Sequence, residues 1–358
     1  MITIIYPFRN RDLIRVENSF LSLKEQTCNK FEVEFVDYGS NEKTAGKVRE
    51  LCAKFSFVNY SYCYTQFQPW NKSRALNSVI KSLESEYCFV ADVDIIFHPQ
   101  FIEKAIQLQD GYRSTYFQVG FLSEGAKILP NHFSTGNYRK STREATGLSM
   151  FPVKLLQELR GFDEFYHFWG AEDTDMHVRL ENAGYEVHFY DKEILLLHQW
   201  HVSYRSAEEK VLTENLQIKG IVQLNHQYLQ NTRVIKRIHA NPKTWGEVMN
   251  ATQLKSLMNQ PFTFKLDNDK KKVDALIYGQ LPQLLKGNFK VQIREQSISR
   301  SINFHLKRIA GKKAPEFYSL KEVNDLVLSH LISFYRDCPY IFKVNRKTGT
   351  IIFGIINS

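Results

Sequence analysis

Two carboxylates stand where an apolar strand should end. In FVADVDIIFHP, residues 89–99, apolar residues dominate, yet Asp92 and Asp94 sit two apart in the middle. Carboxylates this close repel each other, and a divalent cation removes that repulsion. Mg2+ or Mn2+ on one or two carboxylates usually completes its shell with water and a substrate's phosphates. A pair of exposed loop aspartates is the plain alternative, but the run Tyr87 to Ala91 that delivers the pair is apolar or aromatic throughout. A second acidic group lies in WGAEDTD, Trp169 to Asp175. It precedes a stretch with helical spacing, so Glu172 and Asp173 can cap a helix N-terminus. They can also supply a general base beside Trp169, whose flat apolar face suits a sugar ring. LLLHQWHVSY adds His198 and His201. Three apart in a strand, they face opposite ways, so at most one is expected to complete an oxygen-rich metal site.

These residues need elements to hold them. Strands are expected over 2–7, 31–39, 58–64 and, as one longer strand, 86–96, alternating with helices over 13–26, 44–55 and 73–84. Such alternation implies crossover connections and a mostly parallel sheet covered on both faces, an α/β fold of Rossmann-like type. Ligands of such sheets bind outside the carboxyl ends of the strands. There lie Pro7-Phe8-Arg9-Asn10-Arg11 after the first strand, Asp37-Tyr38-Gly39-Ser40 after the second, and Asp92 with Asp94 at the fourth. Residues 97–145 weaken into aromatic and polar sequence with loop or lid character. A helix over 152–161 ends at Gly161. Helical spacing through Met176, Val178, Leu180 and Ala183 follows, then strands over 185–190 and 193–202.

The chain has 358 residues, 43% of them hydrophobic, enough for one large and one smaller domain. Its formal net charge of +9 is uneven. From residue 240 onward there are 19 Lys+Arg against 9 Asp+Glu, leaving 28 against 29 for residues 1–239. The division expected is a catalytic domain over 1–239 and a basic, smaller α+β accessory region over 240–358. The latter holds a helix over 322–336, with Val323, Leu326, Val327, Leu331 and Phe334 at core spacing, and a hairpin around NRKTG. Its basicity can dock on an anionic membrane surface or simply be solvated. No apolar run of about 18 residues and no cationic leader is present, so a soluble, unexported chain is expected. Five cysteines, never in a CxxC spacing, indicate neither a disulfide framework nor a cysteine zinc site, which fits a reducing cytoplasm.

In chain order, PFRNR (7–11), VDYGS (36–40), NKSRALN (71–77), FVADVDIIF (89–97), GLSMF (147–151) and GFDEFYHFWGAEDTDMHVRL (161–180) resemble the motif series of GT-A nucleotide-sugar glycosyltransferases. The pattern is similar to that of the β-1,4-galactosyltransferase family, with kinship to bacterial family 2, chondroitin polymerase-type and polypeptide N-acetylgalactosaminyltransferase enzymes, over about residues 1–205. The resemblance implies a GT-A fold and a UDP-sugar donor with Mn2+ (or Mg2+). It implies that Pro7, Phe8, Arg9 and Arg11 line the nucleotide pocket, that Asp37 receives uracil or ribose, and that Arg74 contacts the diphosphate. Asp92 would lie near ribose and metal with Val93 beside it, and Asp94 would ligate the metal directly. Trp169 and Gly170 would border donor sugar and acceptor, Glu172 would hold a sugar hydroxyl, and Asp173 would be the catalytic base. The family's late metal-binding histidine maps to HQWH, with His201 preferred and His198 in reserve. The family's WGWGGED is shortened to FWGAED, with Ala171 for a glycine, and Tyr38 stands where an acid is common.

The expected activity is metal-dependent, inverting transfer of a hexosyl or N-acetylhexosaminyl group to a glycan or lipid-linked glycan, in bacterial surface polysaccharide synthesis. A nucleotidyltransferase would show a glycine-rich phosphate loop after the first strand, where this chain has PFRNR. A non-catalytic nucleotide-sugar or glycan-binding protein would lack the base or the metal pair. Nucleic-acid binding is not expected, because the tail's aromatics are not interleaved with its basic residues in a module pattern.

Overall fold

A computed structural model of the chain describes residues 1–110, 113–126, 132–143, 147–202, 212, 216–283, 287–296 and 315–357. The chain divides into two compact units. One comprises Met1–Cys63, Asn71–Ser203 and Val222–Glu247; the other comprises Tyr64–Trp70, Tyr204–Ile221 and Val248–Ser358.

The first unit opens with the alternation its periodicity predicts: β1 (Ile2–Phe8), α1 (Leu13–Lys24), β2 (Phe31–Asp37), α2 (Glu42–Cys52), β3 (Val58–Tyr62), α3 (Lys72–Ile80) and β4 (Tyr87–Val90). Asp12, Asn41 and Asn71 start the three helices by accepting the N–H groups of Ile14, Thr44 and Arg74. Next come β5 (Ile95–Phe97), α4 (Phe101–Gln107), β6 (Ser114–Phe117), β7 (Gly120–Phe121), a single turn α5 (His132–Thr135), β8 (Arg139–Lys140) and β9 (Ser149–Pro152). Then follow α6 (Val153–Glu158), α7 (Glu172–Asn182), β10 (Val187–Tyr190), β11 (Leu196–His198) and α8 (Ile221–Val234).

The main sheet has the order β10-β6-β9-β4-β1-β2-β3. Every neighbouring pair is parallel except those of β9, which is antiparallel to β4 and β6. β1 is buried at all seven positions, as a central strand covered on both faces must be. Its core partners include Phe20, Phe35, Phe89, Phe101 and Phe117, each of which contributes about 1.5–3 kcal/mol by leaving water.

Two expectations are corrected. The single strand over 86–96 breaks at Ala91–Asp94, where the Ile95 N–H bonds the Asp92 carbonyl. β5 then joins a different sheet, ordered β5-β11-β7-β8. The two carboxylates are therefore on a turn between sheets and not on a strand. Residues 97–145 are also less irregular than their composition suggests, since they supply α4 and β6. Of the expected lid over 112–146, residues 112, 127–131 and 144–146 lie outside the described residues.

The second unit contains α9 (Ala251–Asn259), β12 (Phe264–Asp267), α10 (Lys270–Asp274), β13 (Gly287–Arg294), α11 (Leu320–Phe334), β14 (Tyr340–Asn345) and β15 (Thr350–Asn357). Its sheet order is β12-β13-β15-β14, and β14–β15 is the expected hairpin, with Asn345 opposite Thr350. α11 begins with a capping box in which Ser319 and Glu322 satisfy each other's backbone N–H. Val323, Val327 and Leu331 are buried, whereas Phe334, expected on the same face, is exposed. Among the described residues no helix is long and apolar enough to cross a membrane.

Candidate active site

β1 leads to β2 and β3 on one side, then the chain returns to place β4 on the other side of β1. The crevice outside the carboxyl ends of β1 and β4 is thus a topological switch point. Arg9, Asn10 and Arg11 leave β1 there, and Asp92 and Asp94 leave β4 there. Burial pulls the Arg11 guanidinium down to about 10, while Asp94 and Asp92 work in the opposite direction.

Asp94 meets both histidines. His201 Nε2 lies 3.2 Å from its Oδ2 and His198 Nε2 lies 3.6 Å from its Oδ1. The alternation argument against a joint site fails because β11 ends at His198, and residues 199–201 leave the strand before facing rules apply to them. One ligand atom from each of Asp94, His198 and His201 lies within 4.8 Å of the others. His201 Nδ1 donates to the Val202 carbonyl at 2.8 Å, which fixes the ring with Nε2 toward Asp94. Among the described residues, no hydrogen-bond donor meets the buried Asp94 Oδ1. A carboxylate with a spare oxygen and two imidazoles is a donor set suited to a divalent first-row cation.

Asp92 turns elsewhere. Its Oδ1 lies 3.3 Å from Lys72 Nζ, which also lies 3.2 Å from Asp173 Oδ2 and 3.8 Å from Glu172 Oε1. Asp92 lies outside the cluster of Asp94, His198 and His201. Burial raises the Asp92 carboxyl, but Lys72, His198 and Arg11 together hold it below the usual range. Glu172 and Asp173 open α7, yet neither caps it. The N-cap is Ala171, with no side-chain bond. Burial and the neighbouring Asp173 push Glu172 up to about 7, against Lys72. Burial also raises Asp173, with Lys72 opposing it.

The loop before α7 is held from beneath. Asn225 of α8 donates to the carbonyls of His167 and Trp169, both at 3.1 Å. Trp169 is left 39% exposed, while Phe168, Gly170 and Ala171 all take positive φ. Inside α7, Asp175 is fully buried against Arg179 at 2.8 Å and accepts from Tyr166 and Thr232.

Asp37 is buried at the end of β2, accepting from the Ser40 N–H at 2.8 Å and the Tyr60 hydroxyl at 3.0 Å. Burial raises its pKa in spite of those bonds. Arg9 Nε donates to the Tyr38 carbonyl. Four residues expected at the donor pocket are buried elsewhere. Phe8 is in the core against Phe35, and Val93 is in the same core. Arg74 is buried and gives Nη2 to Glu164 at 2.6 Å and Nε to the same carboxylate at 2.7 Å. Pro7 is buried within β1. Sequence reasoning missed Lys72, two residues before Arg74, and Gly147, where an added Cβ would come 3.2 Å from Asp173 Oδ2. Both sit in motifs already singled out, NKSRALN and GLSMF.

Residues 3–164 match the glycosyl transferase family 2 model, and residues 131–201 match the model described as the N-terminal domain of galactosyltransferase. No curated protein sequence is a significant match. Among solved structures, the chain is similar to a mannosyltransferase from Pyrobaculum calidifontis in complex with GDP-Man and Mn2+, at 18% identity and TM-score 0.44, covering 68% of this chain and 66% of that one. It is similar to GalNAc-T7 with UDP, GalNAc and Mn2+ at 13% identity and TM-score 0.48, covering 65% and 48%. It is similar to S. aureus TarS 1–349 at 12% identity and TM-score 0.47, covering 96% and 94%.

Proposed function

We propose that this chain, whose residues 3–164 match the glycosyl transferase family 2 model, is a glycosyltransferase of the GT-A fold that moves a sugar from a UDP-sugar to a glycan hydroxyl with inversion. The observation that carries this reading is the pairing of Asp94, His198 and His201 as one cluster with Asp92, Lys72, Glu172 and Asp173 as another, joined through the Asp92–Asp94 turn. Asp94, His198 and His201 would hold Mn2+ (or Mg2+). When bound, the cation neutralises charge on the diphosphate.

The remaining steps belong to side chains. Asp173 takes the proton of the acceptor hydroxyl as its oxygen forms the bond to the anomeric carbon. The bond from that carbon to the diphosphate oxygen breaks, and its electron pair leaves with the nucleoside diphosphate. One base and one displacement invert the anomeric centre. Arg11, which follows β1, brings a positive charge that Asp94 and Asp92 favour. Trp169 offers an exposed face for a sugar ring, and Glu172 a carboxyl for a sugar hydroxyl. Asp37, hydrogen-bonded by Ser40 and Tyr60, suits a nucleoside contact. The acids needed for turnover are all present, which favours an enzyme over a binder.

The donor is read as UDP-Gal, UDP-GalNAc, UDP-GlcNAc or a similar sugar, and the acceptor as a glycan or lipid-linked glycan of a bacterial surface polysaccharide. The catalytic part is read as residues 1–239 and the basic region over 240–358 as the part that meets the acceptor or the anionic inner face of the membrane from the cytoplasm. The test is donor hydrolysis on a panel of UDP- and GDP-sugars with Mn2+. Turnover of a UDP-sugar that Asp94→Ala abolishes supports the reading. Turnover unchanged in Asp94→Ala removes the metal assignment, and no turnover of any sugar removes the reading itself.

A further inference from the structure

Lys72 is the first residue of α3, directly after its Asn71 cap. A lysine at that position faces the positive end of its own helix dipole, which costs about 0.3–1 kcal/mol. Its side chain is only 12% exposed, so the ammonium has also lost most of its water. Local structure therefore gives no reason for a charge here. The surroundings do. Asp173, Asp92 and Glu172 lie 3.2, 3.3 and 3.8 Å from the ammonium, and together they hold it well above the usual lysine range although burial alone would lower it.

The three acids come from different places. Asp92 is on the turn after β4, and Glu172 and Asp173 are in the first turn of α7. Strand pairing does not tie these segments together, since β4 pairs with β1 and β9. Three carboxylates around one small volume repel each other, and a single ammonium among them reverses the sign of that interaction.

We propose that Lys72 is a positioning residue for glycosyl transfer: a built-in cation that fixes the Asp173 carboxylate relative to the strand-end turn carrying Asp92 and Asp94. The proposal rests on reading Asp173 as the base. It differs from a direct contact between Lys72 and the donor's diphosphate, because a positioning role acts on kcat and a diphosphate contact acts on donor affinity. A displacement of about 1 Å at a reacting group can cost on the order of a hundredfold in rate.

Two variants decide it. Lys72→Met keeps the stem and loses the charge; Lys72→Arg keeps the charge. Each is checked by thermal unfolding, by UDP binding with Mn2+ in a calorimeter, by kcat and KM, and by crystal structure. The result expected for Lys72→Met is UDP affinity within about threefold of the starting protein, kcat lower by about a hundredfold, and the Asp173 carboxylate turned out of its place. Lys72→Arg should recover at least about tenfold of that loss, with Asp173 restored. An unmoved Asp173 in Lys72→Met overturns the proposal, as does a loss of UDP affinity with kcat retained. Should Lys72→Met fail to fold, Lys72→Arg decides alone: Asp173 in place with kcat below about one per cent overturns it, and Asp173 in place with kcat within about tenfold supports it. The position of Asp173 is read without turnover, so an unmodified protein that consumes no sugar nucleotide sinks the functional reading and leaves this outcome separately legible.

Discussion

The carboxylates of Asp92 and Asp94, two residues apart, face different partners. Asp92 Oδ1 lies 3.3 Å from Lys72 Nζ, and Asp94 Oδ2 lies 3.2 Å from His201 Nε2. The turn at Ala91–Asp94 between two sheets makes this division, because it frees the pair from the alternation of a continuous strand. The two aspartates should therefore behave differently on substitution. Asp94→Asn is expected to weaken Mn2+ binding by at least about tenfold, and His198→Ala and His201→Ala each to do so as well. Asp92→Asn should change Mn2+ affinity by less than about threefold while lowering kcat. Mn2+ titration followed by electron paramagnetic resonance measures all four. Equal losses for Asp92→Asn and Asp94→Asn would return Asp92 to the metal.

Arg74 and Glu164 form a buried pair, with Nη2 and oxygen 2.6 Å apart and Glu164 fully buried. Asn77 Nδ2 and the Gly246 N–H also donate to Glu164 Oε1, at 2.9 and 2.7 Å. Removing one partner of such a pair leaves a charge uncompensated in the interior and costs about 3–5 kcal/mol. Arg74→Met should lose that much stability in urea unfolding and keep its UDP affinity. A variant that stays stable but no longer binds UDP would show that Arg74 serves the diphosphate after all.

Much of the first unit is legible in the amino-acid sequence. The period of ITIIYP, FEVEFVDYG and their helices predicts β1 to α3 because packing and local propensity agree there. The two acidic clusters were also visible, since a carboxylate after five apolar residues is a local anomaly. What remained hidden depended on distant contacts. Nothing in NKSRALN says which of Lys72 and Arg74 faces the acids. That is settled by Glu164, 90 residues further on, whose burial claims Arg74 and leaves Lys72 to the crevice. The two histidines come together at Asp94 for a similar reason: where a strand stops decides whether alternation applies, and β11 stops at His198.

Ala171 holds φ +74 immediately before α7, between Gly170 at φ +100 and the acids. A Cβ in the left-handed region costs about 1–2 kcal/mol, partly offset by the greater freedom of glycine in the unfolded chain. Ala171→Gly should raise stability by roughly 0.5–1 kcal/mol. Thermal unfolding reads this as a rise of a few degrees at most. A fall in melting temperature would mean that the methyl group makes a contact worth more than the strain.

Glu172 titrates at about 7 in the folded chain against 4.5 for an unperturbed glutamate, mainly through burial and then the adjacent Asp173. The folded state thus binds this proton more tightly than the unfolded state. The stability contributed is fully present below pH 4.5 and is lost as pH rises through about 7. Its size is of order 3 kcal/mol. Urea unfolding at pH 5 and pH 8, with no metal added, should show a drop that Glu172→Gln lacks. Identical pH slopes for the two proteins would mean that Glu172 is ionised throughout.

Gly147 stands where an added Cβ would come 3.2 Å from Asp173 Oδ2, tighter than ordinary contact, and, its chain neighbours aside, no other described residue lies within 4 Å of that point. Its backbone needs no left-handed φ, so alanine is tolerated by the main chain and acts only on the carboxylate. The group that must yield is the proposed base, whose Oδ2 also lies 3.2 Å from Lys72 Nζ. Gly147→Ala should leave the melting temperature within about 2 °C and lower kcat by about ten- to a hundredfold, with UDP affinity unchanged. Gly147→Ser should do the same or worse, since its hydroxyl adds volume at the same point. Steady-state kinetics with the best donor of the panel reads the effect. A Gly147→Ala enzyme with normal kcat would show that Asp173 can shift by several tenths of an ångström without consequence, which a group taking a proton in the transition state cannot do.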